Sequence, residues 1–282
     1  MSILPRRKKT WAIIVSAGVL GLAAILILAQ PRARAALRLV HGFSALDIDP
    51  RVWLEPGAGD FARDVAAALP GAIARVEECQ AGAFEKPFRV YVCASHESFM
   101  RHIGQPVSLP VRGIAFHRDI WVSPKAFSFR GKDTHRETIT HELSHLHLGQ
   151  MLGWWHRIKE VPSWFQEGLA NLVADTGNEQ VSRREAREAI IHGHTIELDE
   201  SGHLPFPKRP ETYGMTWPMF HMQSRMFLEY LRLRDVKAFE GFVAAVVSGA
   251  RFGPAFKDNF DESLSDVWEE FAESIRTLQW DI

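Results

Sequence analysis

A chain of 282 residues, 46% hydrophobic and 24% charged, is long enough to bury one good-sized core or two closely packed lobes. That composition argues against disorder, collagen and a polytopic membrane protein. Residues 1 to 40 carry seven Lys or Arg and no acid, leaving 26 basic against 34 acidic residues beyond, so the remainder lacks the net positive charge usual in a nucleic-acid-binding domain.

The first predicted element is a membrane segment. Arg6, Arg7, Lys8 and Lys9 precede an uncharged run of 19 residues, Trp11 to Ala29, which is long enough to span a bilayer. The basic cluster predicts a cytoplasmic amino terminus over 1–10, a transmembrane anchor over 11–30 and a juxtamembrane linker over 31–45, although Arg32, Arg34 and Arg38 pull against that orientation. Ala33-Arg34-Ala35 has the small-x-small form of a signal-peptidase site, but the apolar run exceeds the ~7 to 15 residues of a signal core, which favours the anchor. Either reading places the rest outside the cytoplasm: a single-pass protein of the cell membrane, its amino terminus inside and its 46–282 domain periplasmic or extracellular. Cys79 and Cys93 are the only cysteines, and spacing leaves open whether they pair in that oxidising setting or stay free.

Within the domain, Arg51–Leu54 reads as a strand, Asp60–Glu78 as an amphipathic helix, Phe88–Cys93 as a second strand and Ser95–Ile103 as a short helix capped by Ser95. Gly113–Phe116 and Ile120–Val122 form a predicted hairpin around His117-Arg118-Asp119, its second strand placed at a sheet edge. Helices then follow over Thr134–Leu152, Ser163–Asp175, Arg183–His192, Trp217–Leu233, Lys237–Ser248 and Leu264–Leu278. The stretch Gly193–Thr216, broken by Pro205, Pro207 and Pro210, reads equally as a solvated connector or a substrate-binding loop.

Inside the first of those helices stands His141-Glu142-Leu143-Ser144-His145, an HExxH. Four-residue spacing projects both imidazoles from one helix face toward a single metal ion, and Ile139, Leu143 and Leu146 give that helix an apolar face to bury. Two imidazoles leave tetrahedral zinc short of a third protein ligand. Glu167 stands 22 residues after His145, in Pro162-Ser163-Trp164-Phe165-Gln166-Glu167-Gly168-Leu169-Ala170. Ser163 and Gln166 have capping-box spacing, which would start a helix there, and Gly168 and Ala170 would let it approach the HExxH helix closely.

The two segments together resemble the gluzincin branch of the zincin metallopeptidases, in which HExxH is followed by a helix carrying a Glu within an EGLA-like stretch. The resemblance is sharp over about Gly113 to Asp175 and loose elsewhere. It implies Zn2+ held by His141, His145 and Glu167, with Glu142 as the catalytic base. Asn171 falls where many members have an acidic residue orienting a zinc-binding His, and an amide makes that hydrogen bond without the charge. Family members also place a Tyr or His near the helix after the variable loop, where negative charge grows on the substrate, which makes Tyr213 and His221 the candidates for that donor. His147 and Trp164 read more simply as packing.

The expected fold is α+β and zincin-like, with a small sheet-and-helix lobe from about Leu46 to Pro124, a helical lobe after it and the cleft between. Strand Ile120–Val122 would border the cleft and hold substrate as an added strand. The expected activity is zinc-dependent hydrolysis of peptide bonds in exported proteins or peptides. The alternative is a zinc-binding ectodomain acting as a scaffold without turnover. Expected partners are a peptide or protein substrate and, through the amino-terminal helix, the membrane; no nucleic acid is expected, and the oligomeric state is open.

Overall fold

The computed structural model describes residues 40–277, apart from 117, 129–130, 177–179 and 203–209. The anchor expected over 11–30 lies outside these residues; among the described ones no helix is long and apolar enough to cross a membrane.

The first element of the described residues is β1 (Ser44–Leu46), which overlaps the end of the expected linker, and Phe43 just before it packs edge-on against Tyr91 and Trp121. After β1 come β2 (Asp49–Leu54), α1 (Gly59–Cys79), β3 (Val90–Val92), α2 (His96–Ile103), β4 (Gly113–Phe116) and β5 (Asp119–Val122). These strands form one sheet in the order β1-β2-β3-β5-β4, parallel across β2, β3 and β5 and antiparallel at both margins. Alternation sorts the side chains between two layers. Val52, Val90, Val92, Ile120 and Val122 face the main core, whereas Tyr91 and Trp121 stack with ring centroids 4.4 Å apart on the other face, under Phe99, Met100 and Ile103 of α2. Ser95 caps α2 as expected, accepting from Ser98 N at 3.1 Å.

The placement of the hairpin is a correction. Ile120–Val122 is not at the edge but inside the sheet, between β3 and β4, because its residues are apolar on both faces. The edge strand on this side of the sheet is β4, whose small Gly113 and Ala115 turn toward the helix that follows.

That helix, α3 (His135–Glu160), buries Ile139, Leu143 and Leu146 between α1 and the sheet. Its regular part ends at Gly153, as expected from sequence; there φ of 72° and ψ of 156° break the helical backbone, a conformation glycine reaches without a Cβ penalty. The chain then turns back far enough for Arg157 Nη1 to donate to the His145 carbonyl at 3.2 Å. A straight helix would hold those residues ~18 Å apart.

The remaining helices are α4 (Ser163–Val173), α5 (Arg183–Ile191), α6 (Trp217–Arg234), α7 (Val236–Val247), α8 (Phe252–Phe260) and α9 (Leu264–Arg276). No sequence signal had marked α8, whose Phe252 and Phe256 fill the core beside Phe165 and Phe242. The capping box predicted for α4 does not form. Pro162 is the cap, Ser163 is already helical, and Gln166 Nε2 reaches back to the Val161 carbonyl at 2.9 Å. Gly168 does permit a close approach, but to α6 rather than α3: a Cβ there would lie 2.8 Å from the Ser224 carbonyl oxygen.

The first half of the long connector is stitched into the body. Gln223 bonds Ile196 N at 3.0 Å and the His194 carbonyl at 2.8 Å, and Trp164 Nε1 donates to the Asp199 carbonyl at 2.9 Å. Cys79 and Cys93 are free thiols, both pushed upward in pKa by burial.

Candidate metal centre

Three helices bring four functional side chains to one point. From α3, His141 and His145 converge with their Nε2 atoms 3.1 Å apart. From α4, Glu167 Oε2 lies 3.4 Å from His141 Nε2 and 3.3 Å from His145 Nε2. From α6, His221 Nε2 comes within 3.3 Å of the same carboxylate oxygen. Zinc bound at ~2.0–2.1 Å by tetrahedral ligands keeps them about 3.3–3.4 Å from one another. The two edges from Glu167 match that spacing and the His141–His145 edge, at 3.1 Å, is slightly shorter; these residues form the one cluster among the described residues with ligand atoms close enough to hold a metal ion. The donor set, two imidazoles and a carboxylate, suits zinc. His221 approaches from Glu167's side and is outside that cluster.

The electrostatics suit the same use. Burial works to raise the Glu167 carboxyl, but the neighbouring His145 and His221, with hydrogen bonds from His141 and His145, hold it well below its usual range. His221 is pushed down to about 4, chiefly by burial and further by His141, His145 and Arg112, against the pull of Glu167. At neutral pH the carboxylate is therefore ionised and His221 is neutral, with one ring nitrogen carrying a proton to donate.

Glu142, next to His141 on α3, is outside the ligand cluster. Its Oε2 accepts from Ala115 N at 2.7 Å, which fastens it to the edge strand β4. Absence of a side chain at Gly113 makes that contact feasible: a Cβ there would stand 2.7 Å from Thr138 Cγ2 and 3.0 Å from Glu142 Cγ.

Of the remaining expectations, Asn171 is corrected. It is buried, but its Oδ1 accepts from Thr176 Oγ1 at 3.3 Å, its Nδ2 has no partner, and it bonds neither ligand histidine. The turn after α4 brings the Thr176 hydroxyl back to the amide and so supplies its partner locally. Tyr213 ends a short turn, Pro210–Tyr213, ahead of α6, and its side chain is not among those described. His147 packs as expected, its Nδ1 2.7 Å from Gln80 Oε1 and its Nε2 2.9 Å from the Gly82 carbonyl, so it pins α3 to α1 from behind.

Two residues near the centre escaped sequence reasoning. Arg157 is a guanidinium whose pKa burial pushes down, against the pull of Glu167, and only the break at Gly153 brings it there. Arg112 lies just before β4, its Nη1 donating to Thr134 Oγ1 at 3.0 Å. A basic residue abutting an apolar hairpin was the one available signal for it.

The fold and site together define a helix-rich α+β protein with a His-His-Glu centre able to hold a metal ion. No protein-family model matches the sequence, and no curated protein does. Among solved structures the chain is similar to leukotriene A4 hydrolase of the yeast Saccharomyces cerevisiae. The complex with bestatin shares 15% identity at a TM-score of 0.48, over 84% of this chain and 37% of that one. A native form shares 15% identity at a TM-score of 0.49, over 84% of this chain and 38% of that one. The chain thus spans well under half the length of these structures, and a likeness at this level decides nothing about activity.

Proposed function

We propose that this chain is a zinc-dependent peptidase acting on exported proteins or peptides. The observation that supports it best is the joint placement of Glu142 and the ligand cluster. The motif glutamate is held outside the His141-His145-Glu167 set by an edge-strand N–H, where a base is needed and a ligand is not.

Zinc held there would acidify a water and polarise the carbonyl to be attacked. Glu142 takes the proton from the attacking water and passes it to the leaving amine, a role worth ~100- to 10,000-fold in rate. The Ala115 N–H fixes Oε2 and so fixes the direction in which Oε1 points. His221, neutral and reaching in from α6, donates to the oxygen on which negative charge grows, a contribution of about 100-fold or more. The outer edge of β4, opposite β5, receives the substrate backbone as an added strand.

Export belongs to the same proposal and rests on the basic cluster and the 19 uncharged residues from Trp11 to Ala29. To test the activity, the purified full chain is given quenched fluorescent peptides before and after chelation. Hydrolysis that stops with the chelator and returns with stoichiometric zinc is expected; hydrolysis indifferent to the chelator would overturn the metal-dependent reading.

A further inference from the structure

The metal centre keeps one side open to solvent, and that side leads to α6. The side chains of His145, His141, Glu167 and His221 are 12, 16, 21 and 25% exposed, so exposure rises from the HExxH helix outward to His221. Trp217, one turn earlier on α6, is 40% exposed as a whole residue. Residues four apart share a helix face, and helical side chains lean toward the amino-terminal end, so His221 leans onto Trp217. Their rings meet edge to face with centroids 5.8 Å apart, and the His221 ring in turn lies 6.0 Å from that of His141. A line of rings thus runs from the metal ligands to the surface and ends on an indole.

That indole is firmly mounted. Phe220, only 2% exposed, packs against it edge to face at 5.8 Å. Thr216 caps the first turn of α6, accepting from Met219 N at 3.4 Å, and Pro218 stiffens the same turn. A lone exposed aromatic is ordinary on a protein surface. This one is set apart by its place, one helical turn from the imidazole that would bind the reacting carbonyl. A peptide carbonyl oxygen lies only ~2.4 Å from its own Cα. The side chain on that residue, or on the next, therefore starts within reach of the ring.

We propose that Trp217 is a specificity residue, the wall of a subsite that takes a large apolar or aromatic side chain from one of the two residues flanking the scissile bond. An indole offers a broad apolar surface, and aromatic rings pair with it offset or edge to face, gaining more than the buried area alone provides. The assignment rests on the peptidase reading above.

Digestion of a random dodecapeptide library by the zinc-loaded full chain, with the products sequenced, reads the preference directly. Phe, Tyr, Trp, Leu and Met should be enriched about tenfold at one of the two positions flanking the cut. That enrichment should vanish in Trp217→Ala and persist in part in Trp217→Phe, with one zinc per chain in both variants. Should Trp217→Ala lose its zinc, Trp217→Gln, which keeps bulk beside His221 and removes the aromatic surface, replaces it in each comparison. Cleavage without that preference, or a preference unchanged in Trp217→Ala, overturns the role of Trp217 and leaves the peptidase reading standing. A loss of rate equal for all sequences does the same, because the indole would then only steady His221. A library left uncut sinks the peptidase reading instead, and Trp217 is then judged by binding. The zinc-loaded Glu142→Gln chain should hold a fluorescein-labelled Gly-Ser dodecapeptide with one central Phe about tenfold more tightly than its counterpart with Ser there, and lose that difference when Trp217→Ala is added. Equal binding of the two peptides, or a difference that survives Trp217→Ala, overturns the proposal.

Discussion

Each atom at the centre is set by its own local cause. His141 and His145 share a face because four residues make about one helical turn; Glu167 meets them because α4 starts abruptly at Pro162; His221 arrives on a third helix. The first three, with Glu142, were legible in sequence because helical periodicity and a recurring motif pair encode them. His221 was legible only by resemblance, and Arg157 not at all, since no local pattern announces a chain that doubles back. Asn171 was misjudged because a position four residues beyond Glu167 fixes the helix face but not the partner that an amide chooses. His221 also gives a prediction. If it donates to the substrate and is not a ligand, His221→Ala should keep one zinc per chain while kcat falls about 100-fold. Loss of zinc with the same change would make it a fourth ligand.

The helices were easier to read than their ends, and the hairpin easier than its neighbours. The long amphipathic α1 declares itself by period, whereas β1 spans only three residues, and α8, unlike α2 and α5 of similar length, has no side-chain cap and carries Gly253 and Pro254 at its start. Strand order is a matter of tertiary pairing. Ile120–Val122 and Gly113–Phe116 were both recognisable as strands, but only burial on both faces of β5 decided which lies inside. The close approach of α4 to α6 was foreseen at Gly168 and assigned to the wrong partner, because a missing side chain says that something is near and not what. Gly168→Ala would press a methyl to 2.8 Å from the Ser224 backbone oxygen, which cannot rotate away. Overpacking of this kind costs about 1–3 kcal/mol, and here it would also separate Glu167 from His221. Thermal unfolding and zinc titration should both register it; an unchanged Tm with unchanged zinc affinity would show that the two helices have room to slide.

Across the whole molecule, the sheet-and-helix part supplies β4 and the base's anchor, the helical part supplies Glu167 and His221, and α3 carries two ligands and the base between them. The expected two-lobed order is present in that sense, and the sequence could state it because, among the described residues, every strand precedes α3 and only helices follow it. A metal held by residues of two helices, α3 and α4, would couple binding to folding. Zinc at 100 to 1,000 times its Kd adds ~2.7–4.1 kcal/mol, and in a domain of this size each kcal/mol moves Tm by roughly 2–4 °C. Chelation should therefore lower Tm by about 5–15 °C in the native chain and leave the Glu167→Ala chain almost unaffected; equal shifts in both would place the metal elsewhere.

The most direct measurement pairs zinc content with peptide hydrolysis in Glu142→Gln. That change keeps the size of the side chain and removes its capacity to accept a proton, while His141, His145 and Glu167 remain. One zinc per chain, with hydrolysis reduced by ~100-fold or more, is the predicted result. Glu142→Gln protein that holds its zinc and cleaves peptide at the native rate would contradict a hydrolytic role for this site.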